Sequence, residues 1–305
     1  MRPSSPQILL FGKDSQLGWE LQRSLSAVGP LIACDRQAAN FERAEEIREQ
    51  IRRHRPAIIV NTAAYTAVDK AETEQTKAHQ INADAVRILA EEASRLGAWL
   101  VHYSTDYIFD GEKASAYTEE DTPRPLNVYG HSKLAGETAI RDVGCKHLII
   151  RSSWLYSVYG SNFPQAILRR AIERDQLEVV ADSFGAPTSA HLVADVTAAM
   201  LEQLKEAQRS EEFSGIYHLT ASGETSWYDF AQFLLGLAHN RGLPIKANSK
   251  RVFPIAGASY GAAAIRPKNS RLDTSLLRDR FGVHLPDWKI HARRFIEEIA
   301  RSRLL

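Results

Sequence analysis

The sequence predicts an α/β fold: a doubly wound parallel sheet over the first half of the chain, then a smaller and less regular C-terminal domain. Two observations carry this. Five short, near-continuous apolar runs recur along residues 1–150: Ile8-Leu9-Leu10-Phe11, Leu31-Ile32-Ala33-Cys34, Ala57-Ile58-Ile59-Val60, Trp99-Leu100-Val101-His102-Tyr103 and His147-Leu148-Ile149-Ile150. Between them, residues 17–28, 41–54, 75–96 and 129–142 carry amphipathic patterns of helical spacing. Strands buried on both faces show no polar alternation, and parallel neighbours need a crossover segment, so the alternation reads as helices covering both sides of a parallel sheet.

The first run ends in Gly12-Lys13-Asp14-Ser15-Gln16-Leu17-Gly18, and an amphipathic helix follows. A glycine turn from strand into helix lets backbone amides approach a pyrophosphate, which then sits on the helix N-terminus. The expected spacing G-x-x-G-x-x-G is met at Gly12 and Gly18, but its middle position is Ser15. Glycine there would allow a positive φ or a close approach; serine either forgoes this or offers its hydroxyl to the phosphate. Gly12, Ser15, Gln16 and Leu17 are the expected phosphate-facing residues.

Asp35-Arg36 follow the second run. An acidic residue at this place binds the adenosine ribose hydroxyls, whereas an arginine accommodates a 2′-phosphate, so NADH and NADPH both stay open. The third run leads into Asn61-Thr62-Ala63-Ala64-Tyr65-Thr66, small residues at the sheet's carboxyl edge, and Ala63, Ala64 and Tyr65 join the expected cofactor set.

The fourth run continues into Ser104-Thr105-Asp106-Tyr107, whose hydroxyls at a strand end can hydrogen-bond a carbonyl. Tyr129 and Lys133 then stand four residues apart in a helical pattern, on one face and one turn apart. A phenol of pKa ~10 is a poor acid or base at neutral pH, and a nearby cation favours the phenolate. Alone, Y-x-x-x-K is a weak pattern. Together with the glycine turn and the hydroxyl run it points to acid–base chemistry on an alcohol/carbonyl couple.

The second half carries helical patterns near 162–174, 190–207, 226–240 and 288–302, with short strands expected at 177–180 and 215–219. Loops rich in Gly, Ala and Pro fill 183–188 and 254–270. The expected division is a dinucleotide-binding domain over 1–150 and a mainly substrate-binding domain over 151–305, interleaved because part of 190–219 returns to the main sheet.

Composition narrows the partners. A formal net charge of +1 gives no field favouring nucleic acid or an anionic membrane. The two cysteines, Cys34 and Cys145, flank apolar runs and read as buried, with neither a disulfide framework nor a metal site expected. The apolar segment after Met1-Arg2-Pro3-Ser4-Ser5-Pro6 is too short for a secretory leader, and no run reaches bilayer length. A cytoplasmic protein is expected.

These motifs resemble the short-chain dehydrogenase/reductase superfamily, in its extended, nucleotide-sugar-modifying branch. The run Gln16-Leu17-Gly18-Trp19-Glu20-Leu21, Thr66-Ala67-Val68-Asp69-Lys70-Ala71-Glu72 and Ser104-Thr105-Asp106-Tyr107-Ile108-Phe109 resemble the dTDP-4-dehydrorhamnose reductase family. So do Pro125-Leu126-Asn127-Val128-Tyr129-Gly130, Arg151-Ser152-Ser153-Trp154-Leu155-Tyr156, Phe184-Gly185-Ala186-Pro187-Thr188 and Arg266-Pro267-Lys268-Asn269-Ser270-Arg271-Leu272. The likeness extends over essentially the whole chain.

The resemblance implies transfer of hydride from NADPH or NADH to the C4 ketone of dTDP-4-dehydro-β-L-rhamnose, giving dTDP-L-rhamnose. By residue match, Tyr129 is the implied proton donor, Lys133 holds the nicotinamide ribose, and Thr105 hydrogen-bonds the reacting oxygen. Val68, Ser104, Asp106, Tyr107 and Trp154 line the implied sugar site, with Arg266 and Asn269 closing it. Some family members form dimers bridged by Mg²⁺ on glutamates. Glu20 and Glu298 match two of those positions but His191 occupies the third, so a monomer or a metal-free homodimer is expected. Two rivals share the motifs: a non-catalytic nucleotide-sugar-binding subunit, and a reductase of another 4-keto-6-deoxy sugar nucleotide.

Overall fold

In the computed structural model, which describes residues 6–302, the apolar runs form the strands of one sheet. The elements that matter are β1 (Ile8–Phe11), α1 (Gln16–Leu25), β2 (Leu31–Cys34), α2 (Ala44–His54), β3 (Ile58–Asn61), α3 (Ala85–Leu96), β4 (Trp99–Thr105), α4 (Val128–Val143) and β5 (His147–Ser152). They continue with α5 (Phe163–Glu173), β6 (Leu177–Val180), α6 (Ala190–Glu206), β7 (Gly215–His218), α7 (Trp227–Asn240), β8 (Val252–Ile255), α8 (Ser275–Phe281) and α9 (Trp288–Ser302). Residues 1–5, where the opening segment weighed as a leader begins, and 303–305 lie outside the described residues.

The six-stranded sheet runs β2-β1-β3-β4-β5-β7, every pair parallel. Its strands alternate faces, as the period of two requires. Ile8, Leu10, Val60, Val101 and Ile150 join one buried cluster with residues of α1 and α6. Leu9, Phe11, Ile59, Leu100 and Ile149 join another with α2, α3 and α4. Both faces are covered, which is why the runs carry no polar alternation. The strand order reverses between β1 and β3, and the crevice beyond the carboxyl ends at such a switch point is where doubly wound sheets take ligands.

The helical pattern over 75–96 is a helix with a π-helical insert: Gln75–His79, then Gln80–Asp84, then α3. Such inserts cluster at functional sites. Here it sets Asn82, whose side chain accepts from the Tyr65 amide at 2.8 Å and donates to the Tyr65 carbonyl at 3.0 Å and to Ser132 Oγ at 2.9 Å. The loop after β3 is thereby tied to α4.

The second half is smaller pieces. β8 pairs with β6 in parallel, so Pro254 and Ile255, expected within a loop, are strand. Phe184–Gly185 and Thr188–Ser189 are two-residue strands within the expected loop 183–188 and its edge. Both cysteines are buried and free. Among the described residues no helix is long and apolar enough to cross a membrane.

Candidate active site

Two glycines open the crevice. Gly12 has φ +82°, and a Cβ there would meet the Ala63 amide nitrogen at 2.7 Å. At Gly18 a Cβ would stand 2.0 Å from the Gly12 carbonyl oxygen, so neither position accepts a side chain without moving backbone. Ser15 is different: its φ of −71° is open to any residue. The Ser15 hydroxyl caps α1, accepting from the Gly18 amide at 2.9 Å and donating to Thr62 Oγ1 at 3.0 Å. The serine therefore serves the turn itself, with its hydroxyl turned into the protein. Leu17 is buried in the core, so only its backbone amide, in the first turn of α1, is left to meet a ligand. Gln16 reaches across instead: its Oε1 accepts from Asn162 at the N-cap of α5, 2.8 Å away.

At the far end, Asp35 accepts from the amides of Gln37 and Ala38 and pairs with Lys13 Nζ at 2.9 Å. The Lys13 ammonium holds the carboxyl below its ordinary range. Arg36 pairs with Glu42. Lys13 was not among the residues expected from sequence; its only signal was its place inside the glycine turn. Ala63 packs against Gly12, and Tyr65 is held by Asn82 as above.

Asn127 caps α4 by accepting from the Gly130 amide at 2.8 Å, and its own Nδ2 donates to the Ile265 carbonyl at 2.7 Å. Gly130 is needed because a Cβ would fall 2.2 Å from the Tyr107 carbonyl oxygen. This close approach brings α4 against the tip of β4. Tyr129 lies edge-on to Tyr107, ring centroids 5.7 Å apart, and the Thr105 hydroxyl is near enough to its phenol to pull its pKa down. Thr105, Tyr129 and Lys133 thus converge at one strand end.

The electrostatics differ from expectation. The Tyr129 phenol is pushed up to about 12, chiefly by burial, with the Thr105 hydroxyl pulling it down and Asp106 pushing it further up. It is raised rather than lowered because the Lys133 amine points elsewhere, donating to the Tyr103 carbonyl at 2.6 Å and lying 3.2 Å from His102 Nε2. Burial also brings Lys133 down to about 8, against an upward pull from Glu137.

Ser104, Thr105 and Asp106 are buried. Asp106 Oδ1 accepts from Thr105 at 3.2 Å, whereas Asp106 Oδ2 and Ser104 Oγ have no hydrogen-bond partner. Burial raises the Asp106 carboxyl to about 7. Unpartnered buried oxygens are costly, and these two flank Thr105 at the strand end.

Beyond them opens a cavity of about 740 Å³ whose lining includes Tyr107, Trp154, Phe163, Arg170, Trp227 and Arg266. Trp154 holds φ +49°, uncommon for a bulky residue, and its ring stacks on Trp227 at 3.4 Å between centroids. Gly185 lies beneath that ring, where a Cβ would come within 2.7 Å. Trp227 and Arg170 gave no sequence signal, since both sit in ordinary amphipathic helices. Arg266 makes a two-pronged pair with Asp69, 2.8 and 3.1 Å, beside Val68 in the helical turn Val68–Ala71. Asn269 does not face the cavity with a free amide. It donates to the Lys113 and Ser115 carbonyls at 2.7 and 2.8 Å and accepts from Arg271, so it fixes the loop.

Glu20 and His191 form a contact of 3.2 Å, and Arg294 pairs with Glu298 at 2.7 Å. Among the described residues no group of three or more His, Cys, Asp or Glu side chains is placed to hold a metal ion.

The sequence matches the family of the RmlD substrate binding domain over residues 6–301. It is 46% identical to a dTDP-4-dehydrorhamnose reductase of Escherichia coli (strain K12), over 96% of this chain and 97% of that protein. A solved dTDP-4-dehydrorhamnose reductase from Bacillus anthracis, in complex with NADP, is similar with a TM-score of 0.86 and 34% identity, covering 96% of this chain and 99% of that one. DesIV, a dTDP-glucose 4,6-dehydratase from Streptomyces venezuelae, shares the fold at a TM-score of 0.78 and 17% identity, covering 97% and 98% of the two chains. With its paired glycines, its Thr105–Tyr129–Lys133 cluster and this near full-length likeness, the chain belongs to the RmlD substrate binding domain family, among the dTDP-4-dehydrorhamnose reductases.

Proposed function

We propose that this protein reduces the C4 ketone of dTDP-4-dehydro-β-L-rhamnose to dTDP-L-rhamnose, using NADPH or NADH. The observation that carries the reading is the grouping of Thr105, Tyr129 and Lys133 at the end of β4, beside Tyr107, which lines the large cavity. The crevice fits a dinucleotide: Gly12 and Gly18 let the turn close tightly on its own backbone, where any Cβ would collide, and the first turn of α1 offers amides to phosphate. Gly12, Ser15, Gln16, Leu17, Ala63, Ala64 and Tyr65 would hold the cofactor's phosphates and nicotinamide end, with Lys13, Asp35 and Arg36 at the adenosine end. When bound, the nicotinamide supplies the hydride.

The chain's own residues do the rest. Thr105 and Tyr129 orient the ketone oxygen by hydrogen bonds. A phenol whose pKa is raised by burial stays protonated at neutral pH, and an alkoxide is basic enough to take its proton. Lys133 then offsets the phenolate left behind. Ser104 and Asp106 have spare hydrogen-bonding capacity for sugar hydroxyls, and the stacked Trp154–Trp227 pair gives the ring an apolar wall. Tyr107, Val68 and Arg266 bound the sugar end, and Asn269 contributes by fixing the loop. We assign residues 1–150 with part of 190–219 to cofactor binding and the remainder mainly to substrate binding. The protein acts in the cytoplasm as a monomer or metal-free homodimer, with a nucleotide sugar as its partner.

The test mixes the protein, NADPH or NADH, and the dTDP-linked ketone. Loss of the reduced nicotinamide's absorbance, with a dTDP-6-deoxyhexose alcohol formed, is expected. Tight binding of both ligands without turnover would overturn the reading.

A further inference from the structure

His102 is fully buried in the middle of β4 and lies behind Lys133, away from the cavity lining. Its hydrogen bonds fix where its proton sits. The Ala63 amide donates to Asn61 Oδ1 at 3.0 Å, which orients that side chain so that its Nδ2 faces His102 Nδ1 at 3.1 Å. An amide nitrogen can only donate, so Nδ1 must carry its lone pair, and the proton of a neutral imidazole lies on Nε2. Nε2 faces Lys133 Nζ at 3.2 Å. An ammonium has no lone pair to accept with; a neutral amine has one.

We propose that His102 is a positioning residue for the Lys133 proton: locked by Asn61 as the Nε2–H form, it aims a donor at the lysine nitrogen and loosens that nitrogen's hold on its third proton. The other groups around Lys133 act in both directions. On its own helix, Glu137 one turn on favours the ammonium, but that carboxylate is bound to Arg151 of β5 at 2.7 Å. Tyr129 lies one turn back, the Tyr103 carbonyl of β4 accepts a lysine N–H at 2.6 Å, and Asp106 follows the strand. Burial acts the same way as the histidine, and the lysine stands at about 8. His102 is itself held far below the ordinary histidine range by burial, which keeps it neutral. The consequence is a lysine whose third proton is loosely held, available to the Tyr129 phenolate when the amine leaves the Tyr103 carbonyl.

This inference rests on the reductase reading, and two measurements separate the two. The first needs no substrate: nitrogen NMR of labelled histidines, with His102 assigned by its loss in His102→Met. An Nε2–H tautomer is expected; an Nδ1–H tautomer or an imidazolium overturns the proposal even if turnover is normal. The second is the pH profile of kcat for ketone reduction. Turnover falls as pH rises through the pKa of Lys133, and in His102→Met that limb moves up by about one pH unit. His102→Gln, which keeps an N–H toward the lysine and an acceptor toward Asn61, returns it toward wild type. A limb in His102→Met that coincides with wild type overturns the proposal. Failure of the wild-type chain to reduce the ketone overturns the reductase reading, and the tautomer still decides the role of His102.

Discussion

Lys133 and Asp106 lie at the same end of β4, both buried, and the protein treats them in opposite ways. Around Lys133 each polar group has a polar neighbour: the amine donates to the Tyr103 carbonyl, and His102, Asn61 and the Ala63 amide follow one another behind it. Around Asp106, one carboxyl oxygen and the Ser104 hydroxyl have no partner. Finished networks rigidify, whereas unfinished ones cost stability until something else completes them. The difference separates groups that time a proton from groups that await a hydroxyl.

The comparison can be broken where it should matter most. Tyr129→Phe removes the proton donor and leaves the surroundings intact, so kcat should fall by about a hundredfold to ten-thousandfold. Cofactor affinity, measured by fluorescence titration, should stay near wild type; near-normal turnover would reject the assignment. Gly18→Ala forces a Cβ to within 2.0 Å of the Gly12 carbonyl, costing about 1–3 kcal/mol of stability and weakening NADPH binding. Urea midpoints and calorimetric titration check both.

Asp106→Asn sharpens the contrast on the unfinished side. The carboxyl ionises near 3.8 when exposed and at about 7 when folded. Between those values the folded state binds the extra proton, so wild-type stability falls as pH rises through the window. The variant should lose that slope, read from denaturant unfolding across the window; an unchanged slope would mean the carboxyl is solvated. The smallest effect belongs to Ser15→Gly. The backbone there needs no special φ, so restoring the glycine of the common motif should change stability by only a few tenths of a kcal/mol, the usual cost of replacing a helix cap with glycine. A large gain in cofactor affinity would show that the hydroxyl obstructs the phosphate.

The strands of the sheet were legible because burial on both faces leaves an unmistakable record, an apolar run bounded by a turn. The Tyr129–Lys133 pair was legible because helical spacing places residues on one face. What escaped depends on three-dimensional neighbours. The direction of the Tyr129 shift turns on how deeply the phenol is buried and where Lys133 points, neither of which is written in a spacing. Ser15 looked like a defect until the turn showed that only Gly12 and Gly18 need to lack a Cβ. Asn269 read as a substrate contact, yet the carbonyls that claim its amide lie more than a hundred residues earlier. Trp227 and His102 resembled ordinary core residues, because their partners come from other elements.

The sixth strand of the sheet arrives late. β5 borders β7, and β7 lies beyond α5, β6 and α6 in the chain. During synthesis the first five strands emerge with one flank bare, its amides and carbonyls exposed until residue 218 has left the ribosome. A truncated polypeptide ending after β5 should therefore self-associate, whereas one extended through α9 should stay dispersed in a sedimentation experiment.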